Sequence, residues 1–210
     1  MITRQILKKL QEELTQPEIL ILLGPRQVGK TTLLKALQDH ARARHHPTAF
    51  FDLEQPQILA DFNLSNTEII HKITAAGQII FIDEFQYVAN ISKILKAIFD
   101  SKRKIKVVCS GSSSIEIHKH IQESLAGRRF LYHIFPLTYA EIKASLKNFT
   151  FEDYLTFGGL PGLTHTESAE RKQQMLNELL GSYILKDIKS LLKEENIRAF
   201  NHLLYLLAEN

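Results

Sequence analysis

Gly24-Pro25-Arg26-Gln27-Val28-Gly29-Lys30-Thr31 decides how this chain is read. The eight residues match the G-x-x-x-x-G-K-[ST] phosphate-binding pattern without a mismatch. Before them, Glu18-Ile19-Leu20-Ile21-Leu22-Leu23 reads as a buried strand. After them, Thr32-Leu33-Leu34-Lys35-Ala36-Leu37 reads as the start of a helix. A strand that runs through a glycine-rich turn into a helix aims successive backbone N–H groups, and the positive end of the helix, at one point. A triphosphate suits that point: residues 24–32 would surround it and Lys30 would reach its β- and γ-phosphates. The bland alternative, a glycine turn joining strand to helix, does not need the lysine and threonine that follow.

Working outward, strands and helices alternate. Thr48–Leu53 predicts a second strand, Gln78–Glu84 a third, Lys104–Ser110 a fourth and Arg129–Phe135 a fifth. Residues 1–17 predict an amphipathic helix with Ile6, Leu7, Leu10 and Leu14 on one face, and 91–99 another helix. Near-continuous apolar strands separated by amphipathic helices imply an α/β fold with a parallel sheet covered on both faces. After Pro136 the strand signals stop, so the expected organisation is a nucleotide-binding domain over 1–136 and a helical region over 137–210. The helical pattern breaks at Phe157-Gly158-Gly159-Leu160-Pro161-Gly162 and resumes near Glu167. An apolar stripe of Leu176, Leu179, Leu180, Tyr183, Ile184, Ile188, Leu191 and Leu192 runs along the last helix.

The third strand supplies a second half for the site. Ile79 to Ile82 end in Asp83-Glu84, and an acid at the tip of a buried parallel strand faces the crevice where such sheets bind ligands. Asp83 and the Thr31 hydroxyl are expected to hold Mg²⁺, and Glu84 to orient or deprotonate an attacking water. The fourth strand ends in Ser110-Gly111-Ser112. Two readings stay open there: Ser110 or Ser112 touching the γ-phosphate region, or a turn and helix cap. Arg128 and Arg129 precede the fifth strand. They are read either as an arginine finger, in the same subunit or a neighbour's, or as solvated surface. His45, His46, His118 and His120 lack metal-site spacing and read as surface.

Composition bounds the rest. A net charge of +3 with no long basic run permits a nucleic-acid partner without arguing for one, and Lys102-Arg103-Lys104 reads as a solvated loop. The single cysteine, Cys109, excludes an intrachain disulfide and reads as core. With neither a signal-peptide pattern nor a membrane-length apolar run, the expected compartment is cytoplasmic.

Taken together, GPRQVGKTTLL, DLEQP, FIDEFQ, SGSSS, ESLAGR, FPLTYAEI, GGLP and ILKDI, behind an N-terminal arginine helix, resemble a prokaryotic family. Its members are AAA-type P-loop ATPases related to the switch ATPases. The resemblance implies a three-layer P-loop fold with strand order 5-1-4-3-2 and a small helical lid. It also implies ATP and Mg²⁺ as ligands. Arg128 or Arg129 corresponds to the arginine before the last strand, and Gly159-Leu160-Pro161 to a turn near the nucleotide, so Pro161 joins the expected site. Family members continue past the ILKDI helix into a C-terminal domain of unknown function, so the resemblance implies a truncated chain. Any protein or DNA partner would act through that missing region, and homo-oligomers are expected. The function expected is Mg²⁺-dependent ATP hydrolysis coupled to a domain or partner rearrangement. The alternative is a slow-hydrolysing switch or a DNA-associated binding module. A small-molecule kinase suits the water-directed Asp83-Glu84 pair poorly, and no Asn-Lys-x-Asp motif favours GTP.

Overall fold

A computed structural model describes residues 2–112 and 124–183, together with positions 199, 202, 203 and 205–207. Its centre is a five-stranded sheet of β1 (Ile19–Leu23), β2 (Thr48–Asp52), β3 (Ile79–Asp83), β4 (Lys106–Gly111) and β5 (Arg129–His133). Every pair is parallel and the order is β2-β3-β4-β1-β5, the expected order read from the other edge. Burial explains the composition of each strand. β1, β3 and β4 are buried at every residue, as inner strands covered on both faces must be. The edge strands β2 and β5 are only partly covered.

Side-chain alternation along β1 divides the core in two. Ile19, Ile21 and Leu23 face one apolar cluster, which includes Ile69 and Ile73 of α4 (Asn66–Ala75) and Ile94, Leu95 and Ile98 of α5 (Ile91–Asp100). Leu20 and Leu22 face the other, with Leu10 of α1 (Leu7–Glu13) and Leu33, Leu34 and Leu37 of α2 (Lys30–Arg42). A short helix, α3 (Pro56–Ala60), follows β2. Cys109 lies wholly buried in the first cluster, and burial pushes its thiol far up from its ordinary range.

Two bounds in the structure differ from those that the sequence suggests. The N-terminal helix covers 7–13 rather than 1–17, because residues 2–5 take a different path on which Arg4 and Gln5 bond to Glu141. The chain forms two compact units, Met1–Phe149 with Gly159–Pro161 and Thr150–Gly158 with Gly162–Asn210, so the division falls after 136. The reason is α6 (Tyr139–Ser145), whose N-terminal capping box pairs Thr138 with Glu141. The same Glu141 carboxylate bonds to Arg4 and to the Gln5 N–H, which keeps α6 with the sheet.

Within the second unit, α7 (Phe151–Phe157) starts at a Thr150/Asp153 capping box, and α9 (Ala169–Tyr183) sets Lys172 Nζ 4.8 Å over the Phe157 ring. The helical turn α8 (Pro161–Thr164) precedes α9. The expected apolar stripe on α9 is not uniformly covered: Leu176 and Leu179 are half-buried, but Leu180 is exposed. Its members Ile184, Ile188, Leu191 and Leu192, like His118 and His120, lie outside the described residues. Among the described residues no helix is long and apolar enough to cross a membrane.

Candidate functional site

The loop from Gly24 to Gly29 is shaped by contacts that its sequence demands. A side chain at Gly24 would collide with the Ile134 carbonyl oxygen, so the loop can leave β1 along this path only with glycine. At Gly29 the backbone turns left-handed, φ 93°, where glycine carries no steric penalty. Gln27 is also left-handed, φ 62°, an uncommon state for a residue with a side chain and one that occurs where the fold over-determines it. Here Arg4 supplies the constraint. Its guanidinium donates to the Val28 carbonyl at 2.9 Å and the Phe135 carbonyl at 2.7 Å, and pairs with Glu141 at 3.3 Å. Burial alone would raise the Glu141 carboxyl. The Thr138 and Gln5 N–H groups and Arg4 outweigh it and hold the carboxyl below its ordinary range.

Lys30, Thr31 and Thr32 are the first three residues of α2, so their N–H groups have no acceptor within the helix. They are therefore available to an anion at the positive helix end. Lys30 is buried, and its ammonium donates to the Gly24 and Pro25 carbonyls at 3.0 and 2.9 Å. Burial lowers its pKa; Glu84 and Asp83 oppose the shift, while Arg26 adds to it. Arg26 thus places a second cation near the same point.

The end of β3 meets this loop. Asp83 is buried and accepts a hydrogen bond from the Ser110 hydroxyl at the end of β4. Glu84 turns left-handed, φ 53°, directly after the strand, and its carboxylate stands 3.9 Å from Lys30 Nζ. Burial pushes the Glu84 carboxyl above its ordinary range, with a hydrogen bond from Gln86 and the charge of Lys30 pulling the other way. Gln86 Nε2 donates to Glu84 at 2.5 Å, while Gln86 Oε1 is buried and has no hydrogen-bond partner among the described residues. That oxygen is an unused acceptor beside the carboxylate.

The expected residues do not all assemble here. Ser110 sits at the tip of the strand between β1 and β3, as its part in the site requires, but its hydroxyl is engaged by Asp83. Ser112 is half-buried after β4. Pro161 approaches the loop, with its Cγ 3.7 Å from where a Gly29 side chain would begin, and the Gly159 carbonyl accepts from Leu137 at 2.7 Å. Arg128 and Arg129 are at the wrong end for their own subunit. Arg129 is in register with Ile19 at the start of β1, one five-residue strand from Gly24, or about 17 Å. The Arg128 guanidinium is engaged by Asp100 at 2.7 and 3.3 Å. A finger acting in its own subunit is thereby corrected: parallel strands put the residue before β5 at the amino edge of the sheet, whereas the phosphate loop leaves the carboxyl edge.

Sequence reading missed Arg4 and Gln86. Arg4 lies more than a hundred positions from Glu141, and nothing in its neighbours marks the pairing. Gln86 stood in FIDEFQ, but a residue two places beyond Glu84 faces it only because the left-handed turn at Glu84 leads into a 3-10 turn, Phe85–Tyr87.

The profile of the AAA domain matches residues 16–143. The chain belongs to the AAA domain family. Residues 148–210 match a domain of unknown function, DUF8612. An uncharacterized protein of Methanocaldococcus jannaschii is 25% identical over 202 residues, covering 90% of this chain and 42% of its own length. One of Mycobacterium tuberculosis is 28% identical over 193 residues, covering 90% and 40%. The chain thus spans about two-fifths of the curated relatives it matches. Among solved structures, the replication initiator DnaA bound to AMPPCP and single-stranded DNA superposes with a TM-score of 0.51 at 16% identity, covering 100% of this chain and 70% of that one. At that identity the likeness concerns the fold: this AAA domain has the ATPase-type P-loop architecture.

Proposed function

We propose that this AAA domain binds ATP with magnesium and hydrolyses it, and that the nucleotide state is coupled to a rearrangement of the helical region or of a partner. The observation that carries the reading is the convergence of Lys30, Asp83 and Glu84 at the carboxyl edge of the sheet, with Glu84 3.9 Å from Lys30 and held by Gln86. Residues 24–32 cradle the phosphates: Gly24 and Gly29 leave out a side chain at the two ends of the loop, Pro25, Gln27 and Val28 carry the intervening backbone, and Arg26 adds positive charge. Lys30 exchanges its two carbonyl partners for phosphate oxygens as the nucleotide enters.

The residues present fit magnesium. Thr31 and Asp83 are hard oxygen donors, and this ion takes few protein ligands because phosphate and water complete its shell. Bound there, the ion would neutralise charge on the transferred phosphoryl group. Ser110 orients the Asp83 carboxylate through its hydrogen bond, and so acts on the site at one remove.

Glu84 accepts a proton from the attacking water. Its raised pKa, the result of burial, strengthens it as a base. Arg128 or Arg129 acts on a neighbouring subunit's site in a homo-oligomer, since neither reaches its own. Pro161, beside Gly29, links the loop to the helical region. Cytoplasmic location and a protein or DNA partner belong to the same proposal.

Phosphate release with Mg²⁺ and ATP, measured beside Glu84→Gln, tests it. Turnover in the wild type well above the variant is expected, with ATP binding intact in both. Binding without turnover above the variant would overturn hydrolysis in favour of a nucleotide-operated switch. Sedimentation with an ATP analogue checks the arginine: a monomer at every concentration removes the finger.

A further inference from the structure

The amino edge of the sheet carries a second cavity, a groove of about 690 Å³. Its walls are the far ends of the elements that build the phosphate site: the last turn of α2 and the first residues of β3 and β4, closed by the ends of α1 and α5. The floor is apolar, with Leu14, Ala41, Ile79, Phe99 and Ile105. The rim is cationic, with Arg44, Lys102, Arg103 and Lys104, and no aspartate or glutamate among the described residues lines the groove. Lys106 lies within it, buried, with two of its three N–H bonds donated to the Gln16 and Glu18 carbonyls.

Helix dipoles account for part of this charge. Arg44 and Lys102 follow the negative ends of α2 and α5, where cations are favoured. They do not account for Lys104 and Lys106, which precede and begin a strand, nor for an apolar floor left open beneath them. Glu13 and Glu18 stand near Lys106 and favour its charged form against burial, but neither is among the described residues that line the groove. Burial and the neighbouring Arg44 lower the His40 pKa and so disfavour its charged form.

The geometry points to a second ligand site here, for a small amphiphilic anion: a carboxylate or phosphate monoester on an apolar body. The volume lies within the range of small-molecule sites, roughly 300–1,000 Å³, and an apolar lining with a few convergent charges is their usual composition. The anionic head meets Lys104, Lys106 and Arg44, while the apolar body covers Leu14, Ile79 and Phe99. A nucleic-acid strand would leave that floor unused. Nothing in the site depends on the nucleotide reading.

Calorimetric titration with octanoate, octylammonium and inorganic phosphate tests the assignment. Wild type and Lys30→Met should bind octanoate alike at one site, and bind octylammonium and phosphate at least tenfold more weakly. The double variant Arg44→Ala/Lys104→Ala, altered only at exposed positions, should lose octanoate affinity about tenfold. Thr15→Trp, which fills the groove from its edge, should block it. Equal binding of octanoate and octylammonium, or no loss in either variant, overturns the site. Phosphate binding as tightly as octanoate removes the apolar requirement and overturns the assignment of an amphiphile. So does a single-stranded oligonucleotide that binds through Arg44 and Lys104 where octanoate does not. Loss of octanoate binding in Lys30→Met alone would tie the ligand to the phosphate loop instead.

Discussion

The two ends of the sheet each bury one lysine, and the two are satisfied alike. Lys30 at the carboxyl edge donates to the Gly24 and Pro25 carbonyls, and Lys106 at the amino edge to the Gln16 and Glu18 carbonyls. Burial lowers both pKa values. What surrounds them differs. Lys30 opens α2 directly after a loop bounded by Gly24 and Gly29, beside N–H groups with no helical acceptor, and faces a strand-end acid pair. Lys106 sits under an apolar groove with cations on its rim. A buried ammonium is therefore not diagnostic by itself; the donors and acceptors around it decide what it can hold.

The sharpest way to break that contrast is Glu84→Gln. It should lower ATP turnover by about 10²–10⁴-fold with ATP binding retained, because it removes the proposed general base. Lys30→Met should weaken ATP binding about 10–100-fold, as loss of a charge-assisted bond worth roughly 1.5–3 kcal/mol implies; titration with an ATP analogue reads it. Arg4→Ala leaves the Glu141 carboxylate without its ion-pair partner and the Val28 and Phe135 carbonyls without their donor. Chemical denaturation should show a loss of about 1–3 kcal/mol.

Gln86→Ala should slow turnover severalfold and move the acid limb of the pH–rate profile upward. The Gln86 N–H favours the charged form of Glu84, so removing it raises a carboxyl that must be ionised to work. An unchanged acid limb would remove Gln86 from the positioning of Glu84. The smallest effect concerns Lys106. Its pKa is about 8 in the fold against 10.5 in the free side chain. Between these values the unfolded chain binds more protons, so stability rises as pH climbs through that window. Lys106→Met should flatten that rise in pH-dependent denaturation and leave ATP turnover within about twofold, since the residue lies a strand's length, about 17 Å, from the loop.

Much of the carboxyl edge was legible because each of its parts is local. The loop's glycines, the lysine and threonine that follow, and Asp83-Glu84 ending an apolar run all act through neighbours in the chain. The strand order followed from resemblance, and the structure has it. The amino edge was legible only in part: Lys102-Arg103-Lys104 read as a solvated loop and are exposed, but nothing near Lys106 announced a buried ammonium. The pairing of Arg128 with Asp100 was equally hidden, because it joins residues from two turns at the same edge of the sheet. In the second unit, Phe151, Leu155 and Leu180 are apolar yet exposed, so the period of apolar residues there does not by itself tell which of them are covered.

The sequence by itself determined the α/β class, the phosphate loop and its acid partner. Backbone preference at glycine and the period of apolar residues are short-range properties, written within a few positions. Only the tertiary structure decided which end of the sheet Arg128 occupies, that Arg4 holds the loop through Val28, that Ser110 serves Asp83, and that a cationic groove opens behind the site. Those depend on strand direction and on contacts between residues far apart in the chain, where packing in three dimensions sets the neighbours.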